Sequence, residues 1–152
     1  MSRRDLIKMT DDEVRAFLDG RHTMNVATLG PDRQIHLVAM WYGFLDGAPA
    51  FWTYGKSQKI ANLRRDPRIT CLMESGESYS ELKGVELVGT GTVLDDRETV
   101  LAVGRSVYER YTGPFEGTML PVLEQMGAKR VAVRIEVAKL VSWDHAKLGG
   151  TY

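Results

Sequence analysis

The residues best suited to chemistry lie in one stretch, 53–68, which opens Thr53-Tyr54-Gly55-Lys56-Ser57-Gln58-Lys59. Five cations (Lys56, Lys59, Arg64, Arg65, Arg68) face one acid, Asp66. A glycine turn leads into a helix that opens at Ser57. The first N–H groups of a helix lack intrahelical acceptors and sit at the positive end of its dipole, so with two lysines and a hydroxyl beside them they suit a phosphate. Lys56 and Lys59 are three apart and can lean toward the same end. The segment also reads as a solvated basic helix capped by Ser57, and the segment alone leaves both open. In Arg64-Arg65-Asp66-Pro67-Arg68 the favoured reading is a local Arg–Asp pairing that shapes a turn.

Other reactive side chains are sparse. His36 sits in an apolar run, where it could contact a ligand or line a core; a lone histidine is weak support for acid–base work. His22 reads as a loop residue. His145 is flanked by Trp143 and Asp144. Cys71, the one cysteine, reads as a small buried hydrophobe. No Ser/His/Asp order and no metal-ligand spacing stands out. Trp41, Tyr42, Phe44, Phe51, Trp52 and Tyr54 crowd the segment before the basic helix. Core packing explains most of them, and a floor for a flat ring with a phosphate tail fits as well.

Composition sets the frame for these residues. A chain of 152 residues, 43% hydrophobic and 26% charged, reads as one domain, 1–152, able to bury a core without disulfides or metals. Its zero net charge argues against nucleic acid or an anionic membrane as partner and leaves self-association easy. With no signal-peptide pattern and no apolar run of ~20 residues, the expected setting is soluble and cytoplasmic.

The elements that must position these residues follow from period and punctuation. Thr10-Asp11-Asp12-Glu13 is a capping box for a short helix with Val14, Phe17 and Leu18 on one face. Strands are expected at 24–29, 34–44 and 50–54, separated by Gly30-Pro31-Asp32 and Asp46-Gly47, as an antiparallel meander. A helix from Ser57 to about Arg65 stops at Pro67. Strands follow at 69–74 and 83–94, the latter with Gly84, Gly89 and Gly91 marking a bulge or corner. A helix starts at Asp95 or Asp96, and a second, capped by Thr118, ends at Gly127. Residues 129–141 alternate cleanly as the last strand. The expected fold is mainly β (α+β): six mostly antiparallel strands in a small barrel with flanking helices.

Several segments resemble a known family. They are Ala27-Thr28-Leu29-Gly30-Pro31-Asp32, His36-Leu37-Val38-Ala39-Met40-Trp41-Tyr42, Lys56-Ser57-Gln58-Lys59, Asn62-Leu63-Arg64-Arg65-Asp66-Pro67-Arg68, Glu109-Arg110-Tyr111-Thr112-Gly113-Pro114, Lys129-Arg130 and Ser142-Trp143-Asp144-His145 with Lys147-Leu148-Gly149. Together they are similar to the split β-barrel flavin/deazaflavin oxidoreductases, the pyridoxamine 5′-phosphate oxidase-like superfamily, and within it to the actinobacterial branch that uses coenzyme F-420. The resemblance implies an FMN-binding split barrel in a homodimer with cofactor sites at the interface. It implies that Lys56, Ser57, Gln58 and Lys59 hold the cofactor phosphate near Thr53, that His36, Val38, Ala39, Met40 and Trp41 line the ring-binding floor, and that Trp143 lies on the substrate side, in its own chain's site or the partner's. True pyridoxamine phosphate oxidases carry an Arg-Leu-His-Asp-Arg-like segment on the pyridoxal ring. This chain has Leu148-Gly149-Gly150-Thr151-Tyr152, which argues against vitamin B6 oxidation.

The resulting expectation is hydride transfer from reduced F-420 to an electron-poor small molecule such as an enone, quinone or tetrapyrrole. The cofactor carries the chemistry, which accounts for the absence of an acid–base dyad. The alternatives are an FMN-dependent oxidase or reductase on the same fold, a non-catalytic flavin carrier, and, less favoured, a nucleic-acid binder using the basic stretch.

Overall fold

A computed structural model describes residues 1–150. Two short helices open the chain, α1 (Arg3–Ile7) and α2 (Asp11–Leu18). The capping box of α2 forms as expected: Thr10 Oγ1 accepts from the Glu13 N–H, and the Thr10 N–H donates to Glu13 Oε2 at 2.7 Å. Then come β1 (Met24–Leu29), β2 (Ile35–Met40), β3 (Gly43–Leu45), β4 (Ala48–Tyr54), α3 (Gln58–Arg65), β5 (Arg68–Ser75), β6 (Lys83–Leu94), α4 (Arg97–Tyr111), α5 (Leu120–Gly127) and β7 (Arg130–Asp144).

The strands form one antiparallel sheet in the order β2-β1-β5-β6-β7-β4-β3, curled into a split half-barrel. It has seven strands, not six, because the run 34–44 is two strands broken at Trp41-Tyr42. Residues 24–54 are therefore no meander. β1–β2 and β3–β4 are separate hairpins at opposite ends of the sheet order, and β4 pairs with β7. Gly89 serves the bulge expected in β6: a Cβ there would lie 1.9 Å from the Glu136 carbonyl oxygen. The helix α5 starts at Leu120 behind a 3-10 turn, and Thr118 makes no cap for it. The last strand runs to Asp144, three residues beyond the expected end.

Alternation sorts the side chains onto two faces. The inner face carries Val26, Cys71, Met73, Val85, Leu87, Val133 and Ile135, closed by Phe17 and Leu18 of α2 and by Ile60 and Leu63 of α3. Burial pushes the Cys71 thiol up to about 12, which removes it as a nucleophile. On the outer face, α4 packs Val100, Val103 and Val107 onto Ala50 and Ala132. Gly43 is required there, since a Cβ would sit 2.5 Å from Ser106 Oγ, which accepts from the Phe44 N–H at 2.9 Å.

The break at Trp41-Tyr42 has a specific anchor. Tyr42 is fully buried, and its hydroxyl donates to the Leu18 carbonyl at 2.6 Å. Arg110 of α4 donates to the carbonyls of Tyr42 (2.9 Å), Leu18 (3.1 Å), Gly20 (2.9 Å) and Asp19 (3.3 Å). Its guanidinium also lies 4.6 Å from the Tyr42 ring centre and 4.8 Å from that of Phe44. Hydrogen bonds from a charged donor contribute about 1.5–3 kcal/mol, so Arg110→Met should destabilise the fold by roughly 3 kcal/mol and Tyr42→Phe by about 1 kcal/mol. Denaturant unfolding checks this ranking. Equal, negligible losses would remove the anchoring role.

Candidate functional site

The basic stretch folds as the sequence suggests, with its cations in different environments. At the N-terminus of α3 the Ser57 side chain makes no capping hydrogen bond. Its Oγ is buried and has no partner, as is Nδ1 of His36. A buried hydroxyl left unpaired costs free energy, a cost that a water, an ion or a ligand oxygen would remove.

Lys59 does not lie beside Lys56 in solvent. It is 9% exposed and its Nζ donates to Thr53 Oγ1 at 3.0 Å. Burial pushes its ammonium below the ordinary lysine value. Lys56 and Gln58 are exposed. Behind them, Gln58 Nε2 donates to Asn62 Oδ1 at 2.8 Å, and Asn62 Nδ2 donates to Thr28 Oγ1 at 3.0 Å. Thr28 faces His36 across the β1–β2 ladder. This chain of contacts links His36 to the start of α3 at one end of the barrel. Arg65 donates to the Leu29 carbonyl at 2.6 Å. Asp66 pairs with Arg68, not Arg65, at 2.6 Å. The local Arg–Asp pairing expected in the turn forms, with Arg68 as the arginine.

The other expected site residues divide between faces. On β2, His36, Val38 and Met40 point inward, and Val38 and Met40 pack on the core. Ala39 and Trp41 point outward. A floor made by 36–41 is therefore made by the backbone of this edge strand and two of its outward side chains. Trp41 stacks on Tyr111 of α4, ring centres 4.7 Å apart and planes within 2°. Trp143 lies across from Gly84, near the end of β7 remote from Thr53, which faces Val131. Twelve residues of strand separate those positions, on the order of 40 Å along the chain. Trp143 and the Thr53 partner thus lie toward opposite ends of β7. It lines an outer-face cavity of about 550 Å³ with Leu37, Leu72 and Glu86.

Two further cavities share Trp41, Trp52 and Val107. One, of about 440 Å³, adds Thr23, Ala39 and Met40. The other, of about 250 Å³, adds α4, α5 and Arg130. Arg130 was not among the expected site residues. Its guanidinium lies 4.6 Å from the Trp52 ring centre and 5.0 Å from that of Tyr54. Its sequence signal is the resembling segment Lys129-Arg130, and the aromatic pair reaches it through strand register (Tyr54 opposite Arg130). Among the described residues no group of His, Cys, Asp and Glu could hold a metal ion, and no helix is long and apolar enough to cross a membrane.

The family profile of pyridoxamine 5′-phosphate oxidase matches residues 10–144. The chain belongs to this family, whose split-barrel fold binds flavins and which includes oxidoreductases. Among solved structures, it is similar to the conserved hypothetical protein Rv2991 from Mycobacterium tuberculosis, at 44% identity and a TM-score of 0.94 over 100% of this chain and 95% of that one. It shares its fold with an F-420 reductase from Mycobacterium smegmatis, at 20% identity and a TM-score of 0.65 over 83% and 94% of the chains. It also shares it with the heme storage protein HutZ from Vibrio cholerae, at 16% identity and a TM-score of 0.67 over 90% and 97%. No curated protein matches the chain.

The environment of Lys59 sets a pH dependence for the unliganded protein. Its folded value is lowered, so between that value and the ordinary lysine value the unfolded chain binds more protons and stability rises with pH. Below that window the full cost of burying the ammonium is present. Lys59→Met should therefore raise stability at pH 7 by about 1 kcal/mol, and this advantage should shrink at alkaline pH. Melting curves of both proteins between pH 7 and 11 test it. A less stable variant with an unchanged pH slope would contradict the assignment.

Proposed function

We propose that the chain is an oxidoreductase that binds the deazaflavin coenzyme F-420 and uses its reduced form to reduce an electron-poor small molecule. The observation that supports a phosphate-bearing cofactor is the buried, partnerless Ser57 hydroxyl at the α3 N-terminus, two residues before Lys59 with its desolvated ammonium. A phosphate there would accept from Ser57 Oγ and from the first N–H groups of α3, and it would offset the burial cost of Lys59. His36 Nδ1, linked through Thr28 and Asn62 to the same end, offers a further donor in the appropriate tautomer. Lys56 and Gln58 are exposed at the mouth of the site.

The free edge of β2 presents unpaired backbone N–H and C=O groups to the polar rim of a planar ring, with Ala39 and Trp41 beside them. The bound cofactor would supply a hydride, leaving the protein to orient the ring and exclude water. The preference for F-420 over FMN rests on the resemblance of segments 56–59 and 142–149 to the deazaflavin branch. Titration of tryptophan fluorescence with each cofactor should show tighter binding of F-420, and Lys59→Met should weaken it by ~10-fold or more. Oxidation of the reduced coenzyme, followed at 420 nm, should require an added quinone or enone. Tighter binding of FMN would move the protein to the flavin oxidases, and tight binding without turnover would make it a carrier.

The working unit in this reading is a homodimer joined through the outer sheet face. Ile35 is 61% and Leu37 64% exposed on β2, next to the cavity that Leu37 shares with Trp143. Trp143 would then serve the site of the other chain, consistent with its distance from Lys59 along its own. Light scattering should give the mass of two chains for the wild type and one for Leu37→Arg. A monomeric wild type would remove the interface.

A further inference from the structure

The cleft between α4, α5 and β4 is built differently from the phosphate site. Its walls are Trp41, Trp52, Val107, Leu123 and Met126, and Arg130 stands in its lining. Arg130 is held in place by stacking on Trp52 and Tyr54 and has no acidic partner or other hydrogen bond among the described residues. Arg68, Arg105 and Arg110 by contrast spend their donors, on Asp66, on Glu109 and on four carbonyls. A planar guanidinium fixed against aromatic rings, with its donors unspent, is pre-organised for bidentate capture of a carboxylate. Apolar walls with one placed charge are the usual composition of a small-molecule site.

The cavity's size selects the ligand. At about 250 Å³ it suits one or two fused rings and excludes a macrocycle. It shares Trp41, Trp52 and Val107 with the cavity of about 440 Å³ that reaches Ala39 and Met40 at the end of β2. A molecule lying in the cleft would have its anionic end at Arg130 and its apolar body directed toward Ala39.

We infer that this cleft is the acceptor site and that it selects planar apolar carboxylates, with Arg130 as the specificity-determining residue. The inference names the substrate class of the proposed reductase. It rests on that reading only for the statement that the cleft faces the reacting ring. Among the acceptors compatible with the proposed chemistry, it favours small conjugated acids over neutral quinones and over tetrapyrroles.

The test is binding without any cofactor, so that its outcome is independent of F-420. The full chain is titrated with 2-naphthoate and with its neutral isostere 2-naphthamide, using calorimetry or tryptophan quenching. Naphthoate should bind at least ~10-fold more tightly than the amide, the loss expected for one charge-assisted hydrogen-bonded pair. Arg130→Gln should abolish that preference, Arg130→Lys should keep part of it, and both variants should bind F-420 like the wild type. Equal affinity for acid and amide, no binding of either, or a preference that survives in Arg130→Gln would overturn the proposal. The first two outcomes are read on the wild type alone, so a variant that fails to fold does not protect it. Loss of F-420 binding with naphthoate selectivity intact would remove the reductase reading and leave the anion-selective cleft standing.

Discussion

The clamp of Arg110 on the Trp41-Tyr42 crossing is the contact on which the rest depends. An apolar run that would otherwise continue as one strand is turned there, and β2 and β3–β4 are sent to opposite edges of one curled sheet. Tyr42 and Arg110 both bind the Leu18 carbonyl at the end of α2. The helix that closes the inner core and the break that splits the barrel are thus fixed by one set of hydrogen bonds. Without the split, β2 and β3 would not lie at opposite ends of the sheet order, and Trp41 would not reach α4.

The same end of the barrel carries features a purely structural helix start would lack. Asn62 is fully buried but hydrogen-bonded at both ends of its amide, to Thr28, Gln58 and Arg65. The Ser57 Oγ and His36 Nδ1 atoms are buried and unused, and Lys59 is desolvated against a single hydroxyl. Capping and pairing rules are broken at these three positions, whereas Thr10 and Asp96 receive their expected capping bonds. Such concentrated exceptions are expected where a fold is shaped for a ligand.

Much of this was legible in the chain, for identifiable reasons. Strands 24–29 and 83–94 matched residue for residue, because turn residues bound the first and helix signals follow the second. The caps at Thr10 and Asp96 are local chemistry. The break at Trp41-Tyr42 was invisible because no glycine or proline marks it and its cause, Arg110, lies 68 residues away. In the site, Lys56, Ser57 and Lys59 were grouped by spacing along one loop and helix, and Thr53 joined them through the family resemblance. The inward turn of Lys59 did not, since it depends on how α3 sits against the sheet. Trp143 and Lys129-Arg130 entered only through the family resemblance, and their neighbours were not legible because strand register, a tertiary property, sets them.

The central claim is that the α3 N-terminus with Ser57 and Lys59 is a phosphate cradle for the cofactor. Its most direct test is a crystal structure of the chain grown with F-420. The account predicts phosphate oxygens within hydrogen-bond distance of Ser57 Oγ and the first N–H groups of α3, with Lys59 Nζ turned to the same phosphate. A bound F-420 whose phosphate lies elsewhere, with Ser57 Oγ still lacking a partner and Lys59 still on Thr53, would contradict it.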